Sequence, residues 1–127
     1  MVDLSVIVVS WNTRELLRAC LASVKRHTTG LEYELIVVDN GSADGSPEMV
    51  RTEFPEAVRI ENPDNRGFAA ANNQGIRAAQ GRAVLLLNSD AELTEKSPLK
   101  LPRFLFSRDE IGAAGGRRDP QGRGRLS

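Results

Sequence analysis

Acidic side chains that could bind a metal ion or a nucleotide base stand at the ends of two apolar runs. Asp39 follows the run 33–38, and Asp90 and Glu92 follow the run 83–87. One or two carboxylates commonly hold Mg²⁺ or Mn²⁺ against substrate phosphates, which fits Asp90 and Glu92. Asp39 could instead accept a hydrogen bond from a base N–H. Aspartate at a strand end also stabilises turns, and spacing alone supports that role equally.

A second polar segment, Asn65-Arg66-Gly67, precedes a run with helical character that begins at Phe68. The first backbone N–H groups of a helix attract anions, and an arginine beside them can contact a phosphate or a carboxylate. The alternative is a turn that carries a solvated arginine, and the segment taken alone favours that alternative. Its role as a phosphate contact therefore depends on what surrounds it.

Alternating strands and helices must position these side chains. Continuous apolar runs predict strands that are covered on both faces, and apolar residues at helical spacing predict the helices between them. The predicted strands are Leu4–Ser10, Tyr33–Val38, Ala57–Ile60 and Ala83–Leu87, and the predicted helices run from Asn12 to His27, onward from Ser46, and over Phe68–Ala79. Asn12 and Glu15 form a predicted capping pair at the start of the first helix. Ser97 begins a further predicted helix that runs toward Ser107, and Ile111–Ala114 is a predicted short strand.

This order of elements predicts an α/β fold, a layered and mostly parallel sheet flanked by helices, in which right-handed crossovers join the strands. Ligands bind such sheets beyond the carboxyl ends of the strands. The polar clusters Ser10–Thr13, Asp39–Ser42 and Asn88–Glu92 each follow a strand, so we expect them to converge on one edge. That edge is the predicted binding site.

Several protein classes are excluded by motif and composition. Trp11, Asn12 and Thr13 stand where a dinucleotide fold needs glycines, and the chain has no G-x-x-x-x-G-K-[ST] phosphate loop. One cysteine and one histidine cannot build an intrachain disulfide or a Cys/His metal cage. The longest apolar run, 83–87, is too short to span a membrane, and the first residues lack the basic segment of a signal peptide, so we expect a cytoplasmic location.

Charge is balanced over the whole chain but not along it. Seventeen basic and seventeen acidic residues give zero net charge, whereas residues 100–127 hold seven basic and three acidic side chains. The stretch 112–127 is rich in glycine and arginine and has no periodicity, so we expect it to be mobile. Arginine clusters bind RNA when aromatic residues are interleaved with them. No aromatic residue follows Phe106, and nucleic acid is therefore not an expected partner.

Four segments together resemble the N-terminal half of family 2 glycosyltransferases, in the same order and spacing. They are S-V-I-V-V-S-W-N at 5–12, V-V-D-N-G-S-A-D-G-S at 37–46, N-R-G-F-A-A-A-N-N-Q-G at 65–75 and L-L-L-N-S-D at 85–90. The resemblance spans about residues 4–116 and is specific as a set, because no single segment would suffice. The chain looks most similar to the subgroup that contains rhamnosyltransferases of bacterial cell-surface polysaccharides.

The resemblance implies a GT-A fold and transfer, with inversion, of a sugar from a UDP- or dTDP-linked donor to an acceptor hydroxyl. By that likeness Asp39 reads the pyrimidine, and Asp90 is the metal-facing acid of a D-x-D-type element that takes Mg²⁺ or Mn²⁺. Glu92 stands where the family usually has the second aspartate. The other residues that the likeness places at the nucleotide are Ser10, Trp11, Asn12, Asn65, Arg66, Gly67, Asn88 and Ser89.

The same likeness divides the chain into a donor-binding half, residues 1–116, and a Gly/Arg-rich tail, residues 117–127. It places the catalytic base and most of the acceptor site beyond residue 127, so we interpret the chain as a truncated donor half with little or no activity alone. The expected partners are a nucleotide sugar and a saccharide or lipid-linked acceptor, with peripheral membrane association through missing sequence and self-association through an exposed sheet edge. The alternative is a nucleotide-binding module without catalysis.

Overall fold

The computed structural model of the chain describes residues 2–28, 30 and 32–90, and the backbone of residues 105–107. Strands and helices alternate along it, as the apolar runs predict. The elements are β1 (Leu4–Ser10), α1 (Arg14–His27), β2 (Tyr33–Asp39), α2 (Ser46–Glu53), β3 (Val58–Glu61), α3 (Phe68–Ala78), β4 (Ala83–Asn88) and β5 (Leu105–Ser107). In this part of the chain, no helix combines the length and the apolar character that crossing a membrane requires.

The strands form one five-stranded sheet in the order β3-β2-β1-β4-β5. β1 lies at the centre and pairs in parallel with β2 on one side and with β4 on the other, and β3 pairs in parallel with β2. The chain therefore winds outward from β1 to β3 and then returns to the far side of β1. The gap between β1 and β4 is the topological switch point, where sheets of this kind bind ligands.

Two apolar layers, one on each face of the sheet, hold the helices. Every residue of β1 is buried because successive side chains point to opposite faces and both faces are covered. Val6 and Val8 belong to the layer that contains α1 and α2, where the buried Cys20 lies among leucine and valine side chains. Ile7 and Val9 belong to the opposite layer, under α3.

Small residues let α3 approach the sheet closely. Ala71 is fully buried against it, and Gly75 lies directly over Ile7. A Cβ at Gly75 would stand 2.5 Å from Ile7 Cγ2, well inside contact distance. Packing thus explains Ala71 and Gly75 of the N-R-G-F-A-A-A-N-N-Q-G segment, and it sets how closely α3 lies on the sheet.

Two predictions about individual elements are wrong. Residues 105–107, assigned by the sequence to the end of a helix, form β5, which pairs antiparallel with β4 through Leu85 opposite Leu105. The pairing covers part of an otherwise open edge of β4, and that tertiary contact outweighs the local helical pattern. The rest of that predicted helix, the predicted strand 111–114 and the tail 117–127 lie outside the described residues.

The second wrong prediction is the capping pair of α1. The N-cap residue is Thr13, not Asn12, and no side chain of its own segment caps the helix. Asn12 has a φ of 52°, in the left-handed region, and its side-chain oxygen accepts a hydrogen bond from Ala43 N at 2.8 Å. Competition from a neighbouring loop, which sequence spacing does not reveal, therefore takes Asn12 away from the helix.

Candidate functional site

The predicted polar clusters converge on the carboxyl edge of the sheet over their described residues, 10–13, 39–42 and 88–90. Strand register places Ser10 opposite Asp39, and Val9 opposite Asn88. The ladder continues one step past the strands, because Asn40 N donates to Ser10 O at 2.8 Å. The loops after β1, β2 and β4 thus start at the same level of the sheet.

Asp39 is the buried acid of this edge, with 4% of its surface exposed. Its Oδ2 accepts a hydrogen bond from Ser42 N at 2.8 Å. Its Oδ1 is also buried but has no hydrogen-bond partner among the described residues. A buried polar atom without a partner costs about 1–3 kcal/mol, more for a charged group, so such atoms mark functional positions. The Oδ1 oxygen of Asp39 therefore has lone pairs left for a further donor.

The loop after β1 is cross-linked to the loop after β2. Asn12 N donates to Ser42 Oγ at 2.8 Å, and Asn12 Oδ1 accepts from Ala43 N. These two bonds offset the cost of the left-handed conformation of Asn12, which is a recurrent feature of functional loops. The neighbouring Trp11 has 51% of its surface exposed. An indole so exposed is not a core residue, and it lies where it can contact a ligand at this edge.

A second acid, Asp44, joins the same two loops. Its Oδ2 accepts from Arg14 N at 2.9 Å, and its Oδ1 accepts from Ser46 N at 3.1 Å and from Ser46 Oγ at 2.5 Å. Partial burial of Asp44 raises the pKa of its carboxyl, but the hydrogen bonds from Ser46 and Arg14 outweigh it, and the pKa lies below its ordinary value. Asp44 is therefore a charged cap for the starts of both α1 and α2.

An amide network attaches the loop 62–67 to the end of β2. Asn40, 3% exposed, donates through Nδ2 to Asn65 Oδ1 and Gly67 O at 3.2 and 3.1 Å. Asn62 Nδ2 donates to Asn40 Oδ1 at 3.0 Å and to Gln74 Oε1 at 2.8 Å, and Gln74 Nε2 donates back to Asn62 at 2.9 Å. Because these amide groups hydrogen-bond one another, the network holds the loop 62–67 in one position.

Arg66 is carried by this loop. Its backbone N–H donates to Asn40 Oδ1 at 3.2 Å, while its guanidinium is about half exposed and lies 3.4 Å from Asp64 Oδ1. Gly41, with φ of 83°, presses against the backbone of Asp64, since a Cβ there would stand 2.7 Å from Asp64 Cα. The structure thus holds the backbone of Arg66 near the end of β2, while its half-exposed side chain pairs with Asp64.

A chain of three hydroxyl groups spans the switch point. Thr13 Oγ1 lies 3.2 Å from Ser10 Oγ and 3.0 Å from Ser89 Oγ, and it joins the end of β1 to the residues after β4. Asp90 follows Ser89 and is exposed, as is Asn88. Glu92, the other predicted metal ligand, lies outside the described residues.

Whether a divalent metal fits this edge can be judged from Asp90. An exposed carboxylate next to the switch point has the chemistry that Mg²⁺ or Mn²⁺ requires when substrate phosphates complete the coordination. Within residues 2–28, 30 and 32–90, no three His, Cys, Asp or Glu side chains come together as a metal site. Asp90 thus fits a metal site whose coordination a phosphate ligand shares.

Four residues of the site were missed by sequence reasoning as individual contributors: Thr13, Asn40, Ser42 and Asp44. All four lie in the loops directly after β1 and β2. Aspartate two residues before serine at a helix start is a known turn signal, and it could have identified Asp44. Thr13 contacts Ser89, 76 residues away along the chain, and Asn40 contacts Asn65, 25 residues away, and no local pattern reports these partners.

The fold and this polar edge together define a Rossmann-like nucleotide-diphosphosugar domain of the GT-A type. The family model for glycosyl transferase family 2 matches residues 5–126. The chain therefore belongs to glycosyl transferase family 2, as the four motifs predict. Membership of the rhamnosyltransferase-like subgroup remains a prediction.

Solved structures show the same fold. The mannosyltransferase PcManGT from Pyrobaculum calidifontis, in complex with GDP-Man and Mn²⁺, is 30% identical with a TM-score of 0.67, over 74% of this chain and 29% of that protein. S. aureus TarS 1-349 in complex with UDP is 25% identical with a TM-score of 0.67, over 73% of this chain and 29% of that protein. TarS 1-349 in complex with UDP-GlcNAc has a TM-score of 0.69 at 23% identity, over 90% of this chain and 31% of that protein, and supports the fold alone. A search of curated proteins gave no significant match.

Proposed function

We propose that the chain is the donor-binding part of an inverting, metal-dependent glycosyltransferase that uses a UDP- or dTDP-linked sugar. The observation that carries the proposal is the buried Asp39 carboxylate with one oxygen unpaired among the described residues, at the carboxyl edge of the sheet. The chain spans about 30% of the length of the solved relatives above, and we propose transfer for the whole protein.

The choice of a pyrimidine follows from how Asp39 is used. Uracil and thymine present one N–H donor on the pairing edge, N3–H, whereas guanine presents two adjacent donors, N1–H and the 2-amino group. A carboxylate pairs best with guanine when both of its oxygens are available. Because Oδ2 of Asp39 is already bonded to Ser42 N, the single unpaired Oδ1 matches the single N3–H. This distinguishes the proposed donor from the GDP-Man of the PcManGT complex.

The remaining nucleotide contacts surround that carboxylate. Ser10 ends β1 opposite Asp39, and the exposed Trp11 follows it, where an indole can pack against a base. Asn12 acts through the loop, since its side-chain oxygen is bonded to Ala43 N. Arg66, held just before α3, can extend toward the diphosphate. Asn65 and Gly67 position it, because Asn65 Oδ1 accepts from Gly67 N at 2.8 Å.

The metal is proposed to bind Asp90, with Glu92 as the second candidate ligand, beside Asn88 and Ser89. A divalent ion there supplies Lewis-acid stabilisation of the negative charge that develops on the leaving diphosphate. Asp39 and Trp11 hold the base at one end of the donor and Asp90 faces the phosphates at the other, so the chain fixes the donor along the switch point. Inversion requires a general base on the opposite face of the sugar, and we expect that base beyond residue 127.

The acceptor is proposed to be a saccharide or a lipid-linked glycan in bacterial cell-surface polysaccharide synthesis. This part of the proposal depends on the resemblance of the N-R-G-F-A-A-A-N-N-Q-G and L-L-N-S-D segments to that subgroup. Attachment to a membrane surface and self-association are proposed with it and are to be tested on the longer protein.

Calorimetric titration of the chain with UDP, dTDP and GDP, each with Mn²⁺ and then with chelator, tests the function. We expect UDP or dTDP to bind at least about tenfold more tightly than GDP, and Asp39→Asn to abolish that preference. Glu48→Gln is the control, because Glu48 is an exposed acid of α2 that pairs with Arg51 and with none of the proposed nucleotide contacts, so this variant should bind as the wild type does. Equal affinity for all three nucleotides, or none for any of them in a folded chain, would overturn the proposal.

A further inference from the structure

Thr13 occupies the N-cap position of α1 but does not cap the helix. Its carbonyl oxygen accepts the first helical hydrogen bond, from Leu17 N at 2.7 Å, as an N-cap residue's does. A threonine at this position ordinarily accepts through its hydroxyl from one of the next backbone N–H groups. Here the hydroxyl makes no such bond and instead contacts Ser10 Oγ and Ser89 Oγ. The local rule is broken in favour of a contact 76 residues away along the chain.

The cap that Thr13 does not provide comes from the next loop. Asp44 Oδ2 accepts from Arg14 N, the first N–H of α1, at 2.9 Å. Breaking the local rule is therefore compensated, and the Thr13 hydroxyl is available for another task. A residue that departs from its local preference for a functional reason needs another residue to replace the lost interaction, and Asp44 does so for Thr13.

The contact lies at the one place in the sheet where the loops of neighbouring strands separate. β1 and β4 are adjacent and parallel, but the chain reaches β4 only after winding through β2 and β3. Ser10 ends β1, and Ser89 immediately precedes Asp90. A hydroxyl between Ser10 and Ser89 thus ties the nucleotide end of the site to its metal end.

We propose that Thr13 is a positioning residue that holds Ser89, and through it Asp90, in place relative to the end of β1. The proposal rests on the function proposed above, in which Asp90 faces the metal and the phosphates. A hydroxyl carries one proton and two lone pairs, so the three hydroxyls form a chain with a direction. When Ser89 donates its proton to a phosphate oxygen, Thr13 donates to Ser89 and Ser10 donates to Thr13. Each of these hydrogen bonds strengthens the next. Thr13 thereby couples phosphate binding to the end of β1.

Two variants of Thr13 separate this role from packing. Thr13→Ser keeps the hydroxyl and loses a methyl group, whereas Thr13→Val keeps the shape and loses the hydroxyl. The measurement is the affinity of the chain for UDP or dTDP in chelator and in Mn²⁺. For Thr13→Val we expect the nucleotide affinity in chelator to change by less than about twofold. The factor by which Mn²⁺ raises the affinity should fall by about tenfold. Thr13→Ser should retain the wild-type gain.

A second measurement needs no nucleotide. Amide hydrogen exchange at residues 88–90 should accelerate by about tenfold in Thr13→Val and stay unchanged in Thr13→Ser, while the core strands remain protected in both. The proposal would be overturned if Thr13→Val lost nucleotide affinity equally in chelator and in Mn²⁺, or if its amide exchange at residues 88–90 were unchanged. If the wild type binds no nucleotide, the proposed function fails, and the exchange measurement still decides whether Thr13 holds Ser89.

Discussion

The backbone N–H of Arg14 donates to the carboxylate of Asp44 at 2.9 Å, across 30 residues of chain. The same carboxylate accepts from the backbone and the hydroxyl of Ser46, at the start of α2. One side chain therefore accepts from the first residue of both α1 and α2, and it joins the loop that carries Trp11 to the loop that follows Asp39. Because the loops share this acid, they cannot move independently while it is bonded.

Replacing this acid should destabilise the whole domain. We expect Asp44→Ala to lower the free energy of unfolding by about 1–3 kcal/mol, since charged caps and three hydrogen bonds are lost together. Asp64→Ala, which removes a largely exposed acid from the neighbouring loop, should cost less than about 0.5 kcal/mol. Urea denaturation followed by circular dichroism measures both. Equal losses in the two variants would show that Asp44 is not a cap.

The stabilisation by Asp44 should depend on pH in a defined direction. Hydrogen bonds from Ser46 and Arg14, acting against the effect of burial, place the pKa of Asp44 below its ordinary value of about 3.9. A lowered pKa in the folded state gives stability that is complete above the unfolded value and is lost as the pH falls through the folded value. The stability difference between wild type and Asp44→Ala should therefore be constant from pH 7 to about pH 5 and shrink below about pH 4. A difference that grows on acidification would contradict the assignment.

Gly41 should tolerate no side chain because its backbone lies against that of Asp64, and Gly30 serves as the control. Gly41 and Gly30 both have positive φ, 83° and 94°, but only Gly41 faces another backbone, that of Asp64. Gly30→Ala should cost the conformational strain alone, about 1–2 kcal/mol. Gly41→Ala should cost about 1–3 kcal/mol more and should also weaken nucleotide binding, because the loop that carries Arg66 must move. Equal unfolding midpoints would exclude this close contact.

The layout of the fold could be predicted because each strand before residue 90 is a continuous apolar run. Predicted and observed strand bounds differ by no more than one residue at each end of β1, β2, β3 and β4. The edge that carries the site followed from strand ends alone. The local rules failed where tertiary contacts prevailed, at the antiparallel β5 and at Asn12, whose partners lie in other segments.

The candidate site was predictable in its residues more than in their roles. Asp39 stood out as an acid at a strand end, and the structure adds that only one of its oxygens is bonded among the described residues. Asn12 was expected to be a cap and is a cross-link between loops. Roles of this kind depend on which loops lie side by side, and sequence spacing within one loop carries no information about that.

The amide network makes a testable link between stability and binding. Asn40→Asp replaces the donating Nδ2 with an oxygen that faces Asn65 Oδ1 and Gly67 O, and it adds a charge next to Asp39. We expect a loss of about 2–4 kcal/mol in unfolding free energy and weaker nucleotide binding. Asn73→Asp, on the exposed face of α3, is the isosteric control and should change neither by more than about 0.5 kcal/mol. If both variants behave alike in denaturation and calorimetry, the network does not position the loop.

The metal assignment is tested by the two acids that follow β4. Asp90 directly follows Ser89, which Thr13 contacts, whereas Glu92 has a longer side chain and stands two residues after Asp90. Asp90→Ala should remove most of the gain in nucleotide affinity that Mn²⁺ gives, about tenfold or more, and leave the affinity in chelator unchanged, because Asp39 still binds the base. Glu92→Ala should reduce the gain less, and Glu48→Ala, an exposed acid of α2, should not reduce it. An Asp90→Ala protein whose nucleotide affinity still rises in Mn²⁺ as the wild type's does would place the metal elsewhere, and a larger loss in Glu92→Ala would exchange the two roles.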